Sequence, residues 1–336
     1  MKKLWHAFLL FFALLAMAAV FSACGGTGAG GASGDGSGGT VGQAISDIKN
    51  KITGGGGTIK EDETLPDRDP TPQVLEDTAT GVAVFGDQGA AVDYSNINDG
   101  YIMVKYEGDN PKVKLQITKD GADTYTYDVA TNAGWVAFPI QESGGYTIAV
   151  FLNISGDQYS QAAAASVSAQ LTDEFAPFLR PNQYCYFTSD SEAVATGAEL
   201  AAGAKSDLKV IENVFIYVTD NVAYDYDKAS TVQSGYLPNV DDTLSSGAGI
   251  CFDYASLTTA MLRSQRIPCR LVVGYAGQAY HAWISVHVEG IGWVDNMIEF
   301  HGDTWTRMDP TFAASGDRAD PNVIGDGTNY NPKYYY

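Results

Sequence analysis

The chain has 336 residues, 45% of them hydrophobic, which is enough for two modest cores and excludes a wholly disordered protein. Its 20 basic residues against 40 acidic ones leave a formal charge of −20, or −20 − 2 = −22 once a leader carrying Lys2 and Lys3 is removed. A field of that sign repels phosphate backbones, so nucleic acid is excluded as a partner.

Residues 1–23 run from a basic start through an apolar stretch to small residues, the layout of an export signal. The closing "VFSAC" resembles a bacterial lipobox, with Phe21 where leucine is usual. The resemblance implies that Cys24 is lipidated, becomes the new N-terminus and anchors the protein to a membrane outside the cytoplasm. An uncleaved anchor is the competing reading, because Leu4 to Ala23 is nearly long enough to span a bilayer. Residues 24–80 are glycine-rich, then acidic with prolines, and read as a flexible tether.

From 81 to 174 short β-rich runs alternate with turn-formers. The runs are Tyr101–Tyr106, Lys112–Ile117, Thr124–Val129, Trp135–Phe138 and Tyr146–Leu152. That spacing predicts a small antiparallel β-sandwich of immunoglobulin-like kind, a spacer or binding module without catalytic groups. Two prolines between Leu171 and Gln183 break the alternation and place a boundary near Phe175. Beyond it Ser206 is a candidate N-cap, followed by an apolar stripe of Leu208, Ile211, Val214, Phe215, Val218 and Val222 that reads as core.

In "GAGICFDYASL" Cys251 follows two glycines and opens a helical pattern of Ile250, Tyr254, Leu257, Met261 and Leu262 that Pro268 ends. Free N–H groups and the positive end of the helix dipole favour a thiolate in that first turn. A thiol nucleophile also needs a base and a group that orients the base. The chain has four histidines, of which His6 lies in the export signal and His301 in the return after "GWVDNMIEF". "YHAWISVHV" reads as a strand with His281, Trp283, Ser285 and His287 on one face and Ala282, Ile284, Val286 and Val288 on the buried one. His281 and His287 then stand roughly 20 Å apart, so only one can face Cys251. Asp295 and Asp309 both remain open as the orienting carboxylate.

Together "GAGICFDYASLTTAMLRSQRIPCRLVVGY", "HAW" and "MDPTF" resemble the transglutaminase-like superfamily, whose core is related to papain-type cysteine peptidases. The resemblance covers about Asn221 to Phe312 and implies an α+β fold in which the cysteine helix packs on an antiparallel sheet. Carried over residue by residue, it makes Cys251 the nucleophile, His281 the general base and acid, and Asp309 the orienter, within a catalytic domain of residues 175–336. The implied reaction is acyl transfer through a Cys251 thioester. Water would give a hydrolase of peptide or isopeptide amides, with cell-envelope peptides among the candidate substrates, whereas a lysine amine would give a cross-linking transglutaminase. A non-catalytic scaffold or binding lipoprotein is the alternative from another class. The Cys251 N–H is one oxyanion donor. Tyr236 is the side chain considered for the second, though loop packing is the commoner role for such an aromatic. No metal or cofactor is implied. Cys185 and Cys269 could pair outside the cytoplasm, but two cysteines in so long a chain do not define a disulfide-built protein. The closing tyrosines are expected to dock back on the core.

Overall fold

The computed structural model describes residues 61–289, 292–294, 299–301, 304–306 and 330–336. The leader, Cys24, residues 25–60 of the expected tether, Asp295 and Asp309 lie outside the described residues. No described helix is long and apolar enough to cross a membrane.

Eight antiparallel strands make the first unit. One sheet has the order β1 (Val84–Asp87), β2 (Ala90–Asp93), β3 (Tyr101–Tyr106), β6 (Val136–Pro139). The other runs β5 (Thr124–Val129), β4 (Val113–Lys119), β7 (Gly144–Ser155), β8 (Gln158–Ala169). Alternation supplies the core: Val113, Leu115 and Ile117 point inward from β4, and Val92, Ile102, Val104 and Phe138 from the other sheet. Beyond the β1–β2 hairpin, β2, β3 and β6 share one sheet while β5, β4, β7 and β8 share the other, so the chain alternates between two antiparallel sheets as the sandwich expectation has it. β8 had no signal in the sequence because its "QAAAASVSA" run is poor in β-formers; its long register with β7 fixes it instead.

The second unit is α+β. Helices α1 (Glu192–Ala201), α2 (Asp207–Asn221), α3 (Tyr226–Thr231) and α4 (Val240–Ser246) precede α5 (Cys251–Ser264). An antiparallel sheet follows in the order β13 (Gly292–Val294), β12 (Ala279–Val288), β11 (Cys269–Ala276), β16 (Tyr330–Tyr335). Beside it β14 (Glu299–His301) and β15 (Thr304–Thr306) pair with each other. Ser206 caps α2 as expected, its hydroxyl accepting from the Lys209 N–H at 3.2 Å. Every residue of α5 except Phe252 is buried, so it is the central helix, enclosed by α1, α2, α4 and the sheet. Gly197 lets α1 approach it closely: a Cβ there would stand 3.1 Å from the Met261 carbonyl oxygen.

Arg263, 1% exposed, ties this unit together. Its guanidinium donates to the carbonyl oxygens of Cys269 (2.9 Å), Arg180 (2.5 Å) and Tyr336 (2.6 Å). The closing tyrosines do dock: β16 pairs with β11, while Tyr334 and Tyr336 pack against Tyr125 of β5 at 5.2 and 5.7 Å.

Residues 61–80 differ from the tether expected there. They form a strap bonded to the helical unit, through Glu61 to the Lys205 N–H (2.9 Å), Arg68 to Asp207 (2.5 Å) and the Gln73 N–H to the Ser264 oxygen (2.8 Å). Its charged residues find specific partners on the helical unit. At the strap's end Asp77 pairs with Arg180 at 2.8 Å. Burial is the larger influence and pushes the Asp77 carboxyl up to about 6, while the Arg180 guanidinium pulls it down. A folded-state value above the ordinary one means that Asp77 contributes stability below about pH 4 that is lost as pH rises through about 6. Asp77→Asn does not titrate, so its stability relative to the parent is expected to increase from pH 4 to 6.5 in urea titrations; a constant difference would contradict this origin.

Candidate active site

The approach to Cys251 is fixed by backbone. Gly247 ends α4 in a left-handed conformation (φ 60°), and β10 (Ala248–Gly249) pairs in parallel with β9 (Ala223–Tyr224). Ile250 is the extended N-cap and Cys251, 5% exposed, the first helical residue. Asp253, in the third position, folds back so that its Oδ2 accepts the Ile250 N–H at 2.8 Å. Gly249 is required for that turn, since a Cβ there would stand 2.6 Å from the Asp253 Cβ.

The last turns of α5 lie at the start of β11, where Arg263 bonds the Cys269 oxygen and Thr259 meets the Cys269 Sγ at 3.5 Å. The first turn therefore points toward the β11–β12 hairpin, where β12 begins. Tyr280, the second residue of β12, packs against the cluster that contains Cys251. Its phenol is pushed up to about 12, by burial first and then by Tyr334, Tyr275 and Cys251, so it stays protonated at neutral pH.

His281 follows, 6% exposed, opposite Gly274 across the ladder. Its ring stacks on Trp283 at 6.2 Å and 22°, while Ala282, Ile284, Val286 and Val288 face the α5 core. His287 is at the other end of β12. Its N–H donates to the Pro268 oxygen at 2.9 Å, and its ring lies 4.4 Å from Phe175 and 5.5 Å from Trp293. Of these two histidines, His281 is the one at the hairpin end of β12, where Tyr280 packs toward Cys251, but its ring lies with Trp283 on the sheet face opposite the one that α5 covers. Asp309 and its competitor Asp295 lie outside the described residues.

The other thiols differ in character. Cys185 and Cys269 are free and fully buried, and burial pushes them up to about 12 and about 11. Both are packed core thiols and no disulfide joins them. Tyr236 does not serve as the oxyanion donor considered for it, because its hydroxyl donates to the Asp253 Oδ1 at 2.5 Å. Lys228 completes that group, with Nζ 2.8 Å from the Asp253 Oδ2 and 4.6 Å over the Tyr236 ring. Sequence reasoning passed over Asp253 and Lys228; an acidic residue three positions after an N-cap was the available signal. A pocket of about 250 Å3 opens beside this group, lined by Lys228, Tyr236, Asn239, Asp242, Ser246 and Ala248 among others. Among the described residues no group of three or more His, Cys, Asp or Glu could hold a metal ion.

A buried helix opening on a cysteine is laid against an antiparallel sheet whose second strand carries a histidine at its third residue, the α+β layout expected of a transglutaminase-like core. Residues 194–310 match the profile of the transglutaminase-like superfamily, and this part of the chain is a domain of that superfamily. The UPF0252 protein MJ1282 of Methanocaldococcus jannaschii is 32% identical over 97 residues, a match spanning 25% of this chain and 28% of that protein. Among solved structures, a candidate cysteine protease from Cytophaga hutchinsonii is similar at 16% identity and a TM-score of 0.34, covering 70% of this chain and 91% of the other. Red sea bream transglutaminase is similar at 13% identity and a TM-score of 0.26, covering 66% and 49%. Those overall scores are low, and the assignment rests on the sequence match.

Proposed function

We propose that the protein is a thiol acyltransferase that hydrolyses peptide or isopeptide amides, with Cys251 as nucleophile, His281 as general base and acid, and Asp309 as the residue that orients His281. The observation that carries the reading is the placement of Cys251 at the first position of α5, directly behind Gly249, within the segment that matches the transglutaminase-like superfamily. Cys251 Sγ attacks the amide carbon and the C–N bond breaks. His281 gives its proton to the leaving amine, and a thioester remains on Cys251. The Cys251 N–H meets the developing oxyanion. Water activated by His281 then releases the acid and the free thiol. An amine in place of water would make the same intermediate a cross-linker. The leader and Cys24 suit a lipid-anchored protein outside the cytoplasm, acting on peptides of the envelope or of neighbouring proteins.

A panel of peptide and isopeptide amides, assayed in parallel for acid release and for uptake of a labelled primary amine, tests this. Acid release that requires Cys251 is expected, from a membrane-extracted protein whose first residue is lipidated Cys24. Amine uptake without acid release would replace hydrolysis by transamidation; no reaction of either kind, with an unreactive Cys251, would favour the scaffold. A first residue other than modified Cys24 would remove the anchor.

A further inference from the structure

Asp253 is the only acidic side chain in the first turn of α5, and it is fully buried two residues from Cys251. A carboxylate there would ordinarily oppose a thiolate. The structure gives it three partners from three places: the Ile250 N–H at 2.8 Å on its own helix start, the Tyr236 hydroxyl at 2.5 Å from the loop after α3, and the Lys228 ammonium at 2.8 Å from α3. The carboxylate is 0% exposed and the ammonium 29%, so the pair is screened from water on the Asp253 side.

We propose that Asp253 and Lys228 are a charge-balanced positioning pair for the thiol. The carboxylate fixes the Ile250–Cys251 backbone, including the N–H that meets the oxyanion, and the ammonium cancels the negative charge this places in the same helical turn as the sulfur. Neither residue touches the reacting atoms; both act through the geometry and field at Cys251. The proposal rests on Cys251 being the nucleophile. Burial without a partner would make the carboxylate a liability, and a neutral cap would leave Lys228 unbalanced, so the two residues serve only as a pair. Tyr236 supplies a hydrogen bond without charge, its phenol pushed up to about 12 by burial first and then by the Asp253 bond. Other titratable groups near this turn among the described residues include Tyr280 of β12, Tyr184, whose ring lies 5.6 Å from Phe252, and Asp242, which lines the pocket beside the pair. These are identical in all the variants below, so differences between variants report the pair.

The test is the rate of Cys251 alkylation by iodoacetamide against pH, followed by peptide mass spectrometry on the full chain with Cys185 and Cys269 as controls. Lys228→Met is expected to slow alkylation at pH 7 about 3–10-fold, and Asp253→Asn to speed it by a similar factor. Both should converge on the parent rate at the alkaline plateau, where every thiol is ionised. The double variant should return to within about twofold of the parent at pH 7, and Tyr236→Phe should stay within that range. A purely structural role would alter the plateau through access, not the approach to it. Equal profiles for Lys228→Met and the parent, or changes of the same sign in both single variants, overturn the proposal. If Asp253→Asn does not fold, Lys228→Met decides alone by the same criterion. Because the readout is labelling, not turnover, the pair can fail while Cys251 proves catalytic, and can hold where no substrate is found.

Discussion

Cys251→Ser is expected to lower turnover of every amide substrate by at least about 10³-fold while leaving the fold intact. Serine is nearly isosteric with cysteine, and the position is 5% exposed at the head of a helix whose cap is made by Asp253, so packing and capping survive. The hydroxyl is a far weaker acid than the thiol, so the proposed base His281 would leave its proton in place at neutral pH. The expected change in stability is below about 1 kcal/mol, which separates lost chemistry from lost structure. Progress curves for acid release, with urea melts of both proteins, check the two halves together. A serine variant that keeps more than a tenth of the activity would place the chemistry elsewhere. A variant that melts far below the parent would mean the sulfur is chiefly packing.

The same pair of roles explains how much of the molecule could be read from the residues alone. Patterns of period two and 3.6 report burial, and burial is what fixes β3 to β7, α2, α5 and β12, so these appear where alternation or a stripe is strong. β8 and α1 did not stand out because their "QAAAASVSA" and "EAVATGAELA" runs bury mostly small side chains, and neighbours decide their conformation. The placement of Cys251 at a helix start and of His281 near a strand start was legible because each has punctuation around it, glycines before one and an aromatic beside the other. Asp253 and Lys228 are 25 residues apart in sequence, and only the α3–α5 packing makes them partners. Tyr236 shows the converse, an aromatic near the site by sequence whose hydroxyl the fold commits to a carboxylate. The strap at 61–80 was misread for the same reason, since an acidic and proline-bearing composition describes a segment without saying whether complementary charges await it.

Arg263→Met is expected to remove about 3 kcal/mol or more of stability, the largest loss from any single substitution on the cysteine helix. Methionine fills much of the same volume but donates nothing. The carbonyls of Arg180, Cys269 and Tyr336 would lose the guanidinium that each of them faces. The Tyr336 oxygen still accepts the Leu271 N–H at 2.9 Å, so the estimate stays below three full losses. Those carbonyls belong to the linker from the sandwich, to β11 and to the residue after β16, so one side chain joins three segments distant in sequence to the last turn of α5. Arg263→Lys should be intermediate, because a single ammonium cannot reach three diverging oxygens that a planar fork spans. Urea denaturation followed by tyrosine fluorescence is the direct check, since Tyr334 and Tyr336 leave their stack with Tyr125 when β16 detaches. Methionine and parent unfolding at the same midpoint would show that the three carbonyls find water or backbone partners unaided. The expected order of parent, lysine, then methionine would instead establish that the sheet under His281 is held to the cysteine helix from its far end, by a charge that takes no part in the chemistry.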